Sequence, residues 1–343
     1  MLIHTFSSSS SAKRLLAASF VTGKRDLRFA LQSLITPNHR YLLCRPRGGF
    51  NDNLVQISRC LLYALRFRRV LLIDMCHAGQ CQNLSLYFLS HPRSFRLVEI
   101  HDAELNYPFS DPFLVYPSAL SSPLGKFFPV YDSVTNCHVD PLTLVPTTFD
   151  HNRDYPQQIL LHEQCGGGSG WPTLERMRLQ PDVAMKIASR ISQLPTPYNA
   201  VHIRHSDVST NVHLFLESIR PQLLLSALPV LIATDNSSVL QIAIGIFKGI
   251  EVVTLFEFPE GLLPGKSLHY STSTSDFAGG VAVLTDLFAL AFAQKLFLCS
   301  LTNGSLSGFG NLAADLMMRP HLLRRLFGSR LFSLLSPRGL IRH

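Results

Sequence analysis

A short apolar run, Tyr41-Leu42-Leu43-Cys44, gives way to a glycine-bearing polar loop over residues 45–53, then to Leu54, Ile57, Leu61, Leu62 and Leu65 at helical spacing, then to a second apolar run, 69–74, that ends in a carboxylate. Apolar runs this short, bounded by glycine and polar residues, read as buried strands, and the stripe between them reads as a helix. Two strands separated by a helix cannot close as a hairpin, so they lie parallel and the helix is the crossover. The rhythm returns in the second half. Strands are predicted at 200–203, 230–233, 250–255 and 295–299, with helices at 214–225, 281–293 and 308–318. Thr234-Asp235-Asn236-Ser237 reads as a turn and helix cap. A further helix, opened by Pro172 and Thr173, is expected to run to about residue 194.

This pattern predicts an α/β chain with two Rossmann-like domains facing a central cleft, and 343 residues suffice for two such cores. The expected boundaries are a basic, serine-rich lead (1–38), a first α/β domain (39–165), a glycine-rich hinge (166–171), a second α/β domain (172–320) and a basic amphipathic end (321–343). Cys165-Gly166-Gly167-Gly168-Ser169-Gly170 supplies the hinge, because glycine and serine resist regular structure. Residues 101–160, rich in proline and aromatics, form an irregular region on the first domain.

No stretch of the chain approaches the run of about 20 apolar residues that spans a bilayer. Seven cysteines stand at 44, 60, 76, 81, 137, 165 and 299 without a CxxC pair, which fits reduced thiols in a cytoplasmic protein and argues against a cysteine-held metal. The net charge of +8 favours an anionic partner. Aromatic RNA-binding motifs, zinc fingers and long basic runs are missing, so the expected anion is a phosphate-bearing small molecule, not nucleic acid. The last 22 residues carry five arginines beside Leu, Phe and Ile, and offer a peripheral contact with anionic membrane as an alternative to packing on the protein.

His202-Ile203-Arg204-His205-Ser206-Asp207 follows a predicted strand at its carboxyl end, where open parallel sheets bind ligands. An arginine there grips a diphosphate and stays charged at any working pH. A departing nucleoside diphosphate gains negative charge, which a fixed cation stabilises.

This segment resembles the HxRRxD signature of the α1,2-, α1,6- and protein O-fucosyltransferases, the nodulation type among them. Gly48-Gly49-Phe50-Asn51-Asp52-Asn53, Ala233-Thr234-Asp235-Asn236, and Asp286-Leu287 through Leu298–Asn303 resemble that superfamily's other segments, in the same order. The resemblance implies a GT-B-like fold and transfer of fucose from GDP-fucose to a glycan or protein hydroxyl, with no further cofactor. It assigns the donor phosphates to Arg204, the guanine end to His202 and Asp286, and a bracing role to Asp207. It gives phosphate-binding hydrogen bonds to Ser300, Thr302 and Asn303. Gly48, Gly49 and Asn51 then approach the donor from the first domain.

The sequence departs from the signature at His205, which replaces the second arginine, and at 208–212, which carries neither the lysine nor the glutamate of the α1,6 type. An inverting transfer needs a base for the acceptor hydroxyl. Asp52 is the first candidate, with His205, His213 and Asp207 behind it. With no HExxH and no DxD motif, metal independence is expected. Gly261-Leu262-Leu263-Pro264-Gly265-Lys266-Ser267 has the wrong glycine spacing for a P-loop, although Lys266 could still reach the donor phosphates. The alternatives are the same fold with another nucleotide sugar, a degenerate protein that binds carbohydrate or nucleotide without turnover, and a basic protein that binds anionic lipid through its last residues.

Overall fold

The computed structural model describes residues 39–75, 78–81, 83–90, 114–118, 130–135, 137–255 and 277–336. The basic lead at 1–38, the glycine–lysine segment at 261–267, Cys76 and residues 337–343 lie outside these.

Strand β1 (Tyr41–Pro46) is central in a four-stranded parallel sheet. It pairs with β2 (Val70–Ile73) on one side and β7 (Ile159–Gln164) on the other, and β4 (Val115–Tyr116) adds to β7. A second sheet runs β11 (Val252–Val253), β10 (Val230–Thr234), β9 (Asn199–Ile203) and β12 (Lys295–Leu298), again all parallel. Parallel sheets covered on both faces favour strands with apolar runs on both faces, and this is why Leu42-Leu43-Cys44, Ile159-Leu160-Leu161 and Val230-Leu231-Ile232-Ala233 do not alternate. The predicted α/β class with two parallel sheets is the observed one.

Helix α1 (Phe50–Phe67) crosses from β1 to β2, as expected. Its buried side carries Leu54, Ile57, Leu61 and Ala64, whereas Leu62 and Leu65 are 60% and 61% exposed. At 100° per residue those two sit on the flank turned away from the sheet. Two other expectations need correction. The helix predicted from 172 to 194 is broken. A single turn, α2 (Trp171–Leu174), is followed by β8 (Met177–Leu179), which pairs antiparallel with β3 (Phe88–Ser90), and α3 (Pro181–Ile191) begins afresh. Met-Arg-Leu alternates in and out as a strand does, and Pro181 fits only a first turn. The strand predicted at 250–255 shrinks to two residues. The irregular region contains a small antiparallel pair, β5 (Val130–Asp132) with β6 (Cys137–Val139).

Helices α4 (Val212–Ser226) and α5 (Ser237–Ile246) pack with β9 and β10 in one core. The larger core joins β1, β2 and β7 to α6 (Phe277–Phe292), α7 (Gly308–Met317) and α8 (Pro320–Leu335). α6 is apolar nearly all round, as a helix buried on every side must be. The apolar side of α8, with Leu322, Leu323, Leu326 and Phe327, is buried in this core. Arg40–His343 form one compact unit. No described helix is long and apolar enough to cross a membrane.

Candidate active site

The carboxyl ends of both sheets supply a single slot, which holds about 100 Å³. β1 leads into Gly49, Phe50, Asn51 and Asp52. β9 delivers His202 and Arg204, and β10 delivers Thr234 and Asp235. Asp286 of α6 and the start of α7, Ser307-Gly308-Phe309, complete the lining.

Arg204 is aimed by Asp207. Its Nε donates to Asp207 Oδ1 at 3.1 Å and its Nη2 to Oδ2 at 2.8 Å. Asp235 holds the same loop, accepting from the His205 N–H at 2.8 Å and from Ser206 Oγ at 2.6 Å. Asn236 donates to the His205 carbonyl and caps α5 by accepting from Ser238 N–H at 2.9 Å. The His205 ring is engaged elsewhere, with Nδ1 2.8 Å from Thr210 Oγ1. Asp207 and His205 therefore shape the arginine loop but do not line the slot, and His213 is exposed on α4.

Two helices begin at the slot. At the start of α1, Asp52 accepts from the Gly49 N–H at 3.2 Å. Burial raises its carboxyl above the ordinary range, opposed by the Gly49 hydrogen bond and the Arg204 charge. Gly48 has φ +92°, and a Cβ there would meet Asp52 Oδ2 at 2.8 Å, so glycine leaves room for the carboxylate. Asn51 is fully committed to the glycine-rich segment. Its Nδ2 donates to the Gly168 carbonyl at 3.0 Å, and its Oδ1 accepts from Gly170 N–H at 2.9 Å. Gln56 and Arg59 of α1 hold the Gly166 and Gly167 carbonyls. The segment expected to act as a hinge is thus strapped to α1 by three side chains.

At the start of α7, Ser307 is only 4% exposed, and its Oγ has no hydrogen-bond partner among the described residues. Asn311 N–H donates to the Ser307 carbonyl, which starts the helix. A Cβ on Gly308 would lie 2.9 Å from Asn51 Nδ2 and 3.5 Å from Asp52 Oδ1, and one on Gly310 would lie 2.9 Å from His202 Nδ1. Both glycines let α7 press against α1 and β9. The N-termini of α1 and α7 then line the slot with Arg204. At α1 the Gly49 and Phe50 N–H groups are already bonded to Asp52 and Gln80, and the start of α7 adds the positive end of its dipole. Such a place attracts an anion.

On the other wall burial shifts two titratable groups. Asp286 is the only charged residue of α6, and burial pushes its carboxyl up to about 7 against the pull of Arg190. His202 is buried beside Arg204, which hold its ring pKa down to about 4, so the imidazole is uncharged. Its ring centroid lies 5.5 Å from that of Phe309.

Of the residues predicted from sequence, the slot gathers Gly49, Asn51, Asp52, His202, Arg204 and Asp286. Ser300, Thr302 and Asn303 occupy an exposed turn after β12, where Asn303 Oδ1 accepts from Ser305 N–H at 3.0 Å, and they do not line the slot. Sequence reasoning missed Ser307, Gly308 and Phe309, although a serine directly before a helical stripe is an N-cap signal. Among the described residues, no three His, Cys, Asp or Glu side chains are arranged to hold a metal.

No protein-family model and no curated protein matches this sequence. Solved structures do match. The fucosyltransferase NodZ from Bradyrhizobium superposes with a TM-score of 0.53 at 17% identity, over 82% of this chain and 94% of its own. NodZ α-1,6-fucosyltransferase co-crystallised with GDP gives 0.51 at 18% identity, over 82% and 93%. The enzyme soaked with GDP-fucose gives 0.51 at 18%, over 81% and 93%. This chain has their fold. The GT-B-like α/β fold expected from the sequence is thus the observed one.

Proposed function

We propose that this protein is a glycosyltransferase that moves fucose from GDP-fucose to an acceptor hydroxyl. The carrying observation is the polarity of the slot. Arg204 and two helix N-termini gather at one side, and a carboxyl isolated in an apolar helix stands at the other. A nucleoside diphosphate has the matching polarity, and guanine presents two adjacent N–H donors to a carboxylate. GDP and GDP-fucose in the structural neighbours support this choice of donor. Arg204 with Ser307, Gly308 and Phe309 receives the diphosphate, in the place the sequence gave to Ser300, Thr302 and Asn303. His202 and Asp286 flank the base. A slot of about 100 Å³ is narrower than sites for ligands of this size, so donor entry widens it.

In the reaction, the acceptor oxygen attacks the anomeric carbon while the bond from that carbon to the β-phosphate oxygen breaks. The pair of electrons leaves with GDP. Arg204 and the helix N-termini stabilise the charge that develops there. Asp52 takes the acceptor proton, since burial makes its carboxylate the more basic. Attack from the face opposite the leaving group inverts the anomeric centre. The electrostatic work falls to Arg204 and backbone N–H groups, so transfer proceeds without metal.

The test is calorimetric titration with GDP, UDP and ADP, on the wild type and on Arg204→Ala. GDP binds selectively to the wild type, and the variant loses at least about 10-fold in affinity, as expected for charge-assisted hydrogen bonds. Preference for UDP or ADP would discard the fucosyl assignment and keep the transferase. Failure of all three nucleotides to bind would sink the donor site.

A further inference from the structure

A second pocket, of about 480 Å³, adjoins the slot and shares Asn51, Asp52 and Gly308 with it. We infer that it is the acceptor subsite and that it takes a neutral sugar, an inference that rests on the donor reading above.

The pocket lies between two parts of the chain. One wall is the glycine strap, Gly167-Gly168-Ser169, held down by α1. The other is a single stripe of α7. Gly308, Asn311, Asp315 and Met318 recur at three- and four-residue spacing, which places them on one face of the helix, and Ala314 lies beside them. The opposite face of α7, with Leu312, Ala313 and Leu316, is buried in the core. The helix therefore turns its N-terminus to the slot and its polar stripe to the second pocket. A molecule in that pocket meets Asp52 at the boundary of the two cavities, where the base must be if the acceptor hydroxyl is to reach the donor.

The lining chooses the chemistry. It offers the carboxylates of Asp52 and Asp315, the amide of Asn311, and short apolar surface from Ala314, Leu306 and Met318. Among the described residues no lysine or arginine lines it, and the neighbouring Arg319 is already paired with Asp315, so an anionic ligand finds no free counter-charge there. Carboxylates and amides match vicinal hydroxyls, which donate and accept at one spacing, and the apolar residues suit the C–H faces of a sugar ring. Asp315 is positioned for this by Arg319, whose Nη1 donates to Asp315 Oδ1 at 2.6 Å while its guanidinium lies 4.1 Å over the Trp171 ring. The glycines across the pocket add no side chains, which keeps it wide enough for a ring.

The experiment uses the full chain on an array of neutral glycans, sialylated glycans and Ser/Thr peptides, for the wild type, Ala314→Trp and Asn311→Ala. GDP titration runs beside it. Ala314 and Asn311 line only the second pocket, so both variants keep wild-type GDP affinity within about twofold. Ala314→Trp fills the pocket, and Asn311→Ala removes an amide from its wall. The expected result is binding to neutral glycans by the wild type, lost at least about 10-fold in Ala314→Trp and weakened in Asn311→Ala. Binding only to sialylated glycans or peptides, no glycan bound, or neutral-glycan binding kept by Ala314→Trp would each overturn the inference. A wild type that binds neutral glycans through this pocket but no GDP would instead remove the donor reading and leave the subsite standing.

Discussion

Replacing Asp286 with asparagine tests one wall of the slot through a proton. Asp286 is the lone charge in an apolar helix, and burial holds its carboxyl at about 7 instead of 3.8. The folded protein thus grips this proton more tightly than the unfolded chain does. The resulting stability is complete below about pH 4 and is lost as pH rises through about 7. The full difference is worth at most about 4 kcal/mol. The carboxyl has an edge on the slot, and solvent screening there leaves about 2 kcal/mol as the expected effect. Asparagine has no proton to release, so Asp286→Asn lacks this slope. Urea unfolding of both proteins between about pH 4 and pH 8 reads it directly. The wild type should fall by about 2 kcal/mol relative to the variant across that range. The proton also couples to the ligand. An ionised carboxylate accepts from the guanine N–H pair, and its population climbs about 10-fold between pH 6 and 8. Wild-type GDP affinity therefore rises about 10-fold more than that of the variant over the same interval. Titration of the GDP phosphates, and of His202 and Asp52 in the slot, is common to both proteins and drops out of the ratio. Parallel stability profiles would refute the burial argument. Parallel GDP profiles would refute the contact with the base.

Other expectations concern the frame of the site. Asn51→Ala removes both hydrogen bonds to the glycine strap, and amide exchange at Gly170 should accelerate at least about 10-fold, measured by hydrogen–deuterium exchange. Gly280→Ala drives a Cβ to 2.2 Å from the Tyr87 hydroxyl and 2.4 Å from its ring, so thermal unfolding should show a loss of about 1–3 kcal/mol. Chelation with EDTA leaves fucosyl transfer unchanged, and its loss on chelation, with rescue by a divalent cation, would disprove metal independence.

Much of this architecture was legible from the chain because parallel strands announce themselves. β1, β2, β9 and β10 are apolar on both faces, and their carboxyl ends point to Arg204 and Asp52 without further information. Asp286 was named through the resemblance to the fucosyltransferase segments and not from the pattern of its own helix. The missed features depend on contacts distant in sequence. β8 is three residues long and is a strand only because β3, almost 90 residues earlier, lies beside it. Ser307 becomes a wall of the slot only because Gly308 lets α7 close on α1, which starts about 250 residues earlier. The polar turn at 300–303 has the right composition for phosphate contacts, but it does not line the slot, Asn303 Oδ1 accepts within the turn and Thr302 N–H donates to the Ser209 carbonyl. Composition records what a side chain can donate and not whether the fold has already used it.

The replacement of a second arginine by His205 is the strongest objection to a donor site here, and the electrostatics of the slot answer it. α7 carries no acid in its own first turn, and the positive end of its dipole faces the slot through Ser307 and Gly308. α1 contributes a second N-terminus, but Asp52 in its first turn partly offsets it. That offset serves the chemistry. In the empty slot, Arg204 and the Gly49 N–H restrain the basicity that burial gives to Asp52. On the proposed reading, an arriving diphosphate engages Arg204 and adds negative charge beside the carboxylate. Both changes raise the carboxyl pKa. The base therefore strengthens when the donor is in place.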